Sequence, residues 1–445
     1  MPVRDPCLSS LPCAFPLLLV KTPRDATLPR RLRQAVEDGV RIRRCANLWL
    51  EPREVAHFEL DDLLAGGSGV VSRMQWFAHA PHLMAPVEVD ADDVTLLGGM
   101  GPLDWVAGAP LREQAGTDRV RRLLQAGLLV ASTKRWAAQR EADERFREQG
   151  WHGLAAAWHA ASRWDGIDAA GEVKEAGLLT AEGLRKAYGP PPPVLHDRTD
   201  GGPPVALPRA SRAPLDEWLD GRATCRNFDT SVPLPLAQLA QVLERALGAR
   251  GQVEGADDFH VLKKTSPSGG ALHPTECYVI ARNVDGLARG LYHYRAGDHA
   301  LQPLPMDEAR ILADAGRHAS AEGKDALDFL SWIAVGGQQW FADAHALCVL
   351  APRFHRNFWK YRNHPKAYRV CILDIGHLSQ TLLLSATEQG LGSYVTAAIN
   401  EADLERAFGL THWADGPLAI CGVGVRGTSM DTYELDPNRK AWPRA

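Results

Sequence analysis

The chain has 445 residues, 45% hydrophobic and 23% charged, which is too long for one core and has the composition of a soluble globular protein of two or three domains. A formal net charge of −4 excludes the broad basic field that bulk nucleic acid or an anionic membrane surface would require. Eight cysteines, at positions 7, 13, 45, 225, 277, 348, 371 and 421, form no Cys-x-x-Cys pair, and several lie in apolar strand-like runs. Buried reduced thiols in a cytoplasmic protein are the expectation.

Residues 1–20 carry one basic residue, and prolines at 2, 6, 12 and 16 interrupt their apolar run, so they make a poor signal peptide. No later stretch is expected to be long and apolar enough to cross a bilayer. Short strands are expected at 15–20 and 48–50, with Arg41, Arg43 and Arg44 on a solvated face. From Asp61 the pattern turns helical, then gives a short alternating run, Val87 to Asp90. A helix follows at 117–126, with Thr117 at its N-cap, Val120, Leu123 and Leu124 on one face, and Gly127 as its stop. Residues 128–130 then read as a strand. Helices, a glycine-stopped turn and a short strand have the sequence form of a winged helix-turn-helix, which fixes no function by itself. Arg119, Arg121 and Arg122 on that last helix read as solvation.

Residues 134–188 are polar and helical, and Trp136, Trp151, Trp158 and Trp164 are expected to pack between domains. The Pro/Gly-rich residues 189–212 make a stiff connector. The expected division is therefore an N-terminal winged-helix-like and helical α/β region, 1–188, the linker 189–212, and a second domain, 213–445. In that domain a helix starts near Pro235, with Leu236, Leu239, Ala240, Leu243 and Leu247 on one face, and ends at Gly248. Residues 290–295 and 300–304 read as a hairpin, 277–280, 346–351 and 418–425 as strands, and 368–389 as a long helix. Strands in hairpins mixed with long helices indicate an α+β sandwich around an antiparallel or mixed sheet.

Four stretches of this half carry chemistry. In extended backbone, Arg222, Thr224 and Arg226 lie on one side and present two guanidiniums and a hydroxyl suited to a phosphate. The loop 264–274, with Pro267, Ser268, Gly269 and Gly270, leaves backbone N–H groups bare beside an apolar strand, as a flat or anionic ligand would need. Gly390-Leu391-Gly392 either caps the long helix or lets backbone lie against a ring. Arg426, after the last strand, is a candidate second phosphate contact.

These motifs, in this order from about residue 213 to 426, resemble the flavin-dependent nitroreductase superfamily and, within it, the SagB-type azoline dehydrogenases of peptide maturation. The resemblance rests on the R-x-[ST]-x-R signature at Arg222, Thr224 and Arg226, the P-S-x-G loop at Pro267 to Gly270, and the D-x-G-H-x-x-Q helix at Asp374, Gly376, His377 and Gln380, running into Gly390-Leu391-Gly392. It implies a nitroreductase-like sandwich binding FMN at a homodimer interface. Arg222, Thr224, Arg226 and Arg426 would take the phosphate and ribityl chain, and Pro267 to Gly270 and Gly390 to Gly392 would lie at the isoalloxazine.

Simple nitroreductases usually carry Asn where Ala271 stands and Gln where His273 stands, so the peptide-dehydrogenase branch is the better resemblance. That branch has a catalytic Lys-Tyr pair, which the resemblance places at Lys360 and Tyr361. Asp374 and His377 share a helical face but have no third ligand near them in sequence, so no metal site is expected. The implied function is FMN-dependent oxidation of azolines to azoles in a ribosomally made precursor peptide, with the N-terminal half binding the leader or a cyclodehydratase partner. The alternatives are an NAD(P)H-fed flavin reductase of dehydroamino acids or nitro compounds, and a catalytically silent peptide-binding scaffold. No Gly-x-Gly-x-x-Gly nucleotide fingerprint follows a strand.

Overall fold

The computed structural model describes residues 39–83, 85–196, 201–256 and 259–442, so the strand expected at 15–20 and the cysteines at 7 and 13 lie outside it. The first elements are β1 (Arg41–Arg44), β2 (Trp49–Phe58), α1 (Leu60–Leu64), β3 (Val70–His79), β4 (Val87–Val89), α2 (Ala91–Gly99), β5 (Val106–Ala107), α3 (Gly108–Ala115), α4 (Thr117–Gln125) and β6 (Leu129–Ala131). They make two antiparallel sheets, in the orders β2-β3-β4 and β5-β1-β6. The helix expected from Asp61 is only the five residues of α1, at the end of a long hairpin. Val70, Val71, Trp76 and Phe77 are β-branched or aromatic and pair across to β2, which decides for strand.

In α4, Val120, Leu123 and Leu124 are buried as their spacing requires, with Gly116 rather than Thr117 at the N-cap. Its arginines pair with acids: Arg119 with Asp90 and Asp92, Arg121 with Asp118, and Arg122 with Asp93. Arg43 departs from the expected solvated face. It is 1% exposed and pairs with the fully buried Asp143 at 2.5 Å, because β1 is the middle strand of its sheet.

The chain continues through α5 (Ala137–Glu148), α6 (Gly153–Ala161), α7 (Ala169–Glu175) and α8 (Ala181–Tyr188) into a connector without regular structure at 189–196 and 201–213. Beyond it come α9 (Pro214–Gly221), β7 (Leu234–Pro235), α10 (Leu236–Leu247), β8 (Gly251–Ala256), β9 (Phe259–Lys263), β10 (Thr275–Ala281), β11 (Val284–Asp285), β12 (Gly290–Arg295) and β13 (Ala300–Leu304). The remainder is α11 (Glu308–Ala315), α12 (Ala326–Ala334), α13 (Gln339–Ala342), β14 (Ala346–Pro352), α14 (Phe354–Phe358), α15 (Ala367–Glu388), β15 (Gly392–Thr396), α16 (Glu401–Phe408) and β16 (Ala419–Gly424).

Six strands pair antiparallel throughout, in the order β13-β12-β10-β14-β16-β15. A parallel bridge from Thr224 to Ser393 makes the β15 edge mixed. Alternation along the strands turns Cys277, Val279, Cys348, Leu350, Cys421 and Val423 toward α10 and α15. The intervening Ile280, Leu347, Val349 and Ile420 face α11, α12, α13 and α16. The domain is thus an α+β sandwich with helices on both sides of the sheet, and the expected hairpin, strands and long helix lie within a few residues of their predicted bounds. The six described cysteines are buried and free.

The expectation that no later stretch is long and apolar enough to cross a bilayer is also overturned. Within α15 an 18-residue window has mean hydropathy 1.3, so by length and composition this helix is apolar enough to cross a membrane. Half of that window is buried, and Cys371, Ile375, Leu378, Leu382 and Leu383 pack into the domain's cores. The hydropathy is high because the outward side is apolar too: Ile372 and Leu373 are 37% and 56% exposed.

Candidate active site

The loop 264–274 is held down by α15. Ser266 Oγ bonds Thr381 Oγ1 at 2.8 Å, Ser268 Oγ donates to Asp374 Oδ2 at 2.5 Å, and the Gly269 N–H donates to Asp374 Oδ1 at 3.2 Å. Ser268 Oγ also accepts the His273 N–H at 2.9 Å. Burial pushes the Asp374 carboxyl above its ordinary range, against the lowering effect of these bonds. Asp374, which the sequence offers only as part of the D-x-G-H-x-x-Q helix, is the residue that fixes this loop. Burial, with Lys264 nearby, pushes His273 down to about 4, so its imidazole is neutral at pH 7.

So anchored, the loop passes through left-handed backbone at Gly270 (φ 64°), Ala271 (φ 55°) and His273 (φ 44°). Gly270 is the point on which the Lys-Tyr pair converges. A Cβ built there would lie 2.8 Å from Lys360 Nζ and 3.0 Å from Tyr361 Oη. Lys360 Nζ lies 5.5 Å from the centroid of the Tyr361 ring. Pro267 and Gly270 are exposed, Ser268 and Gly269 partly so. A Cβ at Gly269 would meet Val370 Cγ1 at 2.3 Å, so that glycine is needed for helix contact.

The candidate phosphate clamp, Arg222, Thr224 and Arg226, sits near the other end of α15. Ala223, Cys225 and Asn227 are buried while Arg222, Thr224 and Arg226 are partly exposed, the alternation expected of extended backbone. Gly221 lies against Thr387, and Cys225 N–H bonds Ser393 O at 2.9 Å. Among the described residues Arg222 has no ion-pair partner. The Arg226 guanidinium makes one long bond, 3.4 Å, to Tyr433 O and lies over Phe341. Ser393 Oγ, beside Thr224, is buried without a partner. The uncommitted Arg222 guanidinium, the Thr224 hydroxyl and the orphaned Ser393 Oγ fit a phosphate, whereas Arg226 lines a separate pocket with Asp229, Asp343 and Asp431.

Gly390, Leu391 and Arg426 line a cleft of about 420 Å³ beside this clamp, with Thr387 and Lys440. Gly390 is left-handed (φ 72°) with open space around a would-be Cβ, whereas a Cβ at Gly392 would meet Cys225 Sγ at 2.4 Å. Gly392 is therefore required by strand packing. Arg426 is already paired with Glu434 and lies over Trp442, so its charge is largely answered within the chain. Lys440, which the sequence reading missed, brings another cation to the cleft; it lies beyond the last strand, where no periodicity marks it. Among the described residues no His/Cys/Asp/Glu group could hold a metal ion.

Residues 219–425 match the nitroreductase family. A putative nitroreductase of Methanocaldococcus jannaschii, MJ1384, is 27% identical over 220 residues, 49% of this chain and 95% of that protein. The trifolitoxin-processing protein TfxB of Rhizobium leguminosarum bv. trifolii is 30% identical over 159 residues, 36% of this chain and 38% of TfxB. The microcin B17-processing protein McbC of Escherichia coli is 25% identical over 163 residues, 36% of this chain and 53% of McbC. The chain thus matches nearly all of the first relative, and about two fifths and half of the two peptide-processing ones.

Proposed function

We propose that this chain, whose residues 219–425 match the nitroreductase family, is an FMN-dependent dehydrogenase that oxidises azolines to azoles in a ribosomally made precursor peptide. The observation that carries the reading is the convergence of Lys360 Nζ and Tyr361 Oη on Gly270. Azoline oxidation removes a proton and a hydride from the ring. FMN, when bound, supplies the hydride acceptor. The Cα proton passes to the Lys360–Tyr361 pair, whose nitrogen and oxygen stand at the same point of the loop. Arg222, Thr224 and Arg226 would hold the phosphate, with Lys440 adding charge to the adjoining cleft.

A homodimer belongs to this reading, and the distance between the two half-sites supports it. Asp374 anchors the Gly270 loop and Thr387 touches the clamp, thirteen residues further along α15. At helical rise that separates them by about 20 Å. In this reading a second copy covers the exposed Ile372 and Leu373 of α15. The N-terminal region would engage the peptide leader or a cyclodehydratase, in the cytoplasm.

MJ1384, matched over nearly its full length and named a putative nitroreductase, favours the second reading, an NAD(P)H-fed flavin reductase. The deciding experiment is anaerobic. Purified, FMN-loaded protein is mixed with an azoline-bearing peptide or with NAD(P)H, and bleaching of the flavin absorbance is followed. Bleaching by the azoline supports the dehydrogenase. Bleaching by NAD(P)H alone moves the assignment to the reductase, and a colourless protein that takes up no FMN removes both in favour of a silent scaffold.

A further inference from the structure

The loop that carries Lys360 and Tyr361 is braced by the N-terminal half at its tip and at both stems. At the tip, Asn363, in left-handed backbone (φ 56°), donates its N–H to Gly150 O at 2.7 Å. Gly150 is itself left-handed (φ 78°), and a Cβ on it would lie 3.0 Å from Arg362 Cγ. At the stems, Trp151 is 4% exposed and its ring centroid lies 4.7 Å from both Phe354 and Phe358, just before the loop, and 5.4 Å from Tyr368, just after it. Trp151 Nε1 donates to Trp413 O at 2.8 Å, and His159 Nδ1 bonds the Tyr368 hydroxyl at 2.9 Å.

Inside the loop the bonds are short-range: Trp359 N–H donates to His355 O at 2.8 Å, His364 N–H to Tyr361 O at 3.1 Å and Lys366 N–H to His364 Nδ1 at 3.1 Å. Asn357 Nδ2 closes the two stems onto Ala367 O at 2.8 Å, and Tyr361 N–H reaches Asn357 O at 3.2 Å. Lys360 is exposed and Trp359 is 55% exposed, its ring stacked on Phe259 of β9 with centroids 5.1 Å apart. A packing contact between halves needs apolar area only; here a left-handed glycine also delivers a carbonyl to the amide at the tip of the loop.

We propose that Gly150 and Trp151 are positioning residues for the Lys360–Tyr361 loop, so that the N-terminal half sets where Nζ and Oη stand over Gly270. The catalytic consequence rests on the role proposed above for that pair. Its test uses the full-length, FMN-loaded chain as wild type, Trp151→Ala and Trp151→Phe, the last keeping a ring in the aromatic cluster and losing the Nε1 bond. Amide hydrogen exchange compares residues 359–366 with β14, and steady-state kinetics on an azoline peptide give kcat and KM separately.

Trp151→Ala should exchange about tenfold or more faster at 359–366 with β14 still protected. Its kcat should fall by about 10²-fold, as for an ångström-scale misplacement, with KM changed much less. Trp151→Phe should restore most of both. Wild-type exchange at 359–366 in Trp151→Ala, or an increase spread equally over β14, overturns the proposal. If Trp151→Ala does not fold, Gly150→Ala carries the same test, since its added Cβ presses on Arg362; unchanged loop exchange there overturns the proposal equally. A wild type that never oxidises the azoline defeats the proposed function alone, because exchange still decides whether the loop is positioned from the N-terminal half.

Discussion

Replacing Gly270 by alanine probes the site where its parts are closest. The backbone at φ 64° costs an alanine about 1–2 kcal/mol relative to glycine. The added Cβ would stand 2.8 Å from Lys360 Nζ and 3.0 Å from Tyr361 Oη, against 3.4 Å for ordinary contact. The amine must therefore retreat by about 0.6 Å and the hydroxyl by about 0.4 Å; since a 1 Å misplacement costs about 10²-fold, a loss of about tenfold in kcat follows. Urea denaturation measures the stability cost, and azoline oxidation at saturating FMN measures the rate. Gly270→Asn separates the two effects, because asparagine tolerates left-handed backbone yet carries the same Cβ: it should recover stability but not rate. A Gly270→Ala enzyme that oxidises azolines at the wild-type rate would refute the placement of the Lys-Tyr pair at this loop.

Arg222→Ala removes an uncommitted charged donor at the clamp, a loss of about 1.5–3 kcal/mol, so FMN affinity, read by fluorescence titration, should fall at least about tenfold; unchanged affinity would take the phosphate elsewhere. Leu373→Glu places a charge on the exposed apolar side of α15 and should convert a dimer to monomers that release flavin, seen by light scattering with absorbance detection; a monomeric wild type with full flavin contradicts the twofold site. Glu401, pushed up to about 7 by burial from an ordinary 4.5, takes up a proton on folding. Its contribution to stability is therefore complete below pH 4.5 and lost as pH rises through 7, a loss of about 3 kcal/mol. Glu401→Gln should accordingly match wild type at pH 4.5 and be more stable at pH 8.5 in thermal unfolding, and an equal pH dependence in both proteins would refute the assigned burial.

The parts of this protein that were legible in its sequence are those with short-range periodicity. The alternation of Arg222, Thr224 and Arg226, the apolar face of α10 and the β12–β13 hairpin each follow from neighbours within a dozen residues. The long β2–β3 hairpin was missed because Asp61, Asp62, Leu63 and Leu64 give a helical signal at its turn. Arg43 was misread because its partner, Asp143, is 100 residues away. Arg426 carries the charge expected of a phosphate contact, but Glu434, which answers it, lies in a tail with no regular pattern. The meeting of Gly270 with Lys360 and Tyr361 joins positions 90 and 91 residues apart, and only the folded chain displays it. The span-like hydropathy of α15 was missed because its apolar residues are divided between the core and an exposed outward face.

The central claim, that the Lys-Tyr pair serves azoline oxidation, is tested most directly by mass spectrometry of an azoline-bearing peptide incubated with FMN-loaded wild type, Lys360→Ala, Tyr361→Phe and the double variant. The account predicts loss of two hydrogens per ring with wild type, a rate lower by about 10²–10⁴-fold in each single variant at unchanged flavin content, and a double variant scarcely slower than the worse single one. Both single variants oxidising the peptide at the wild-type rate would contradict it.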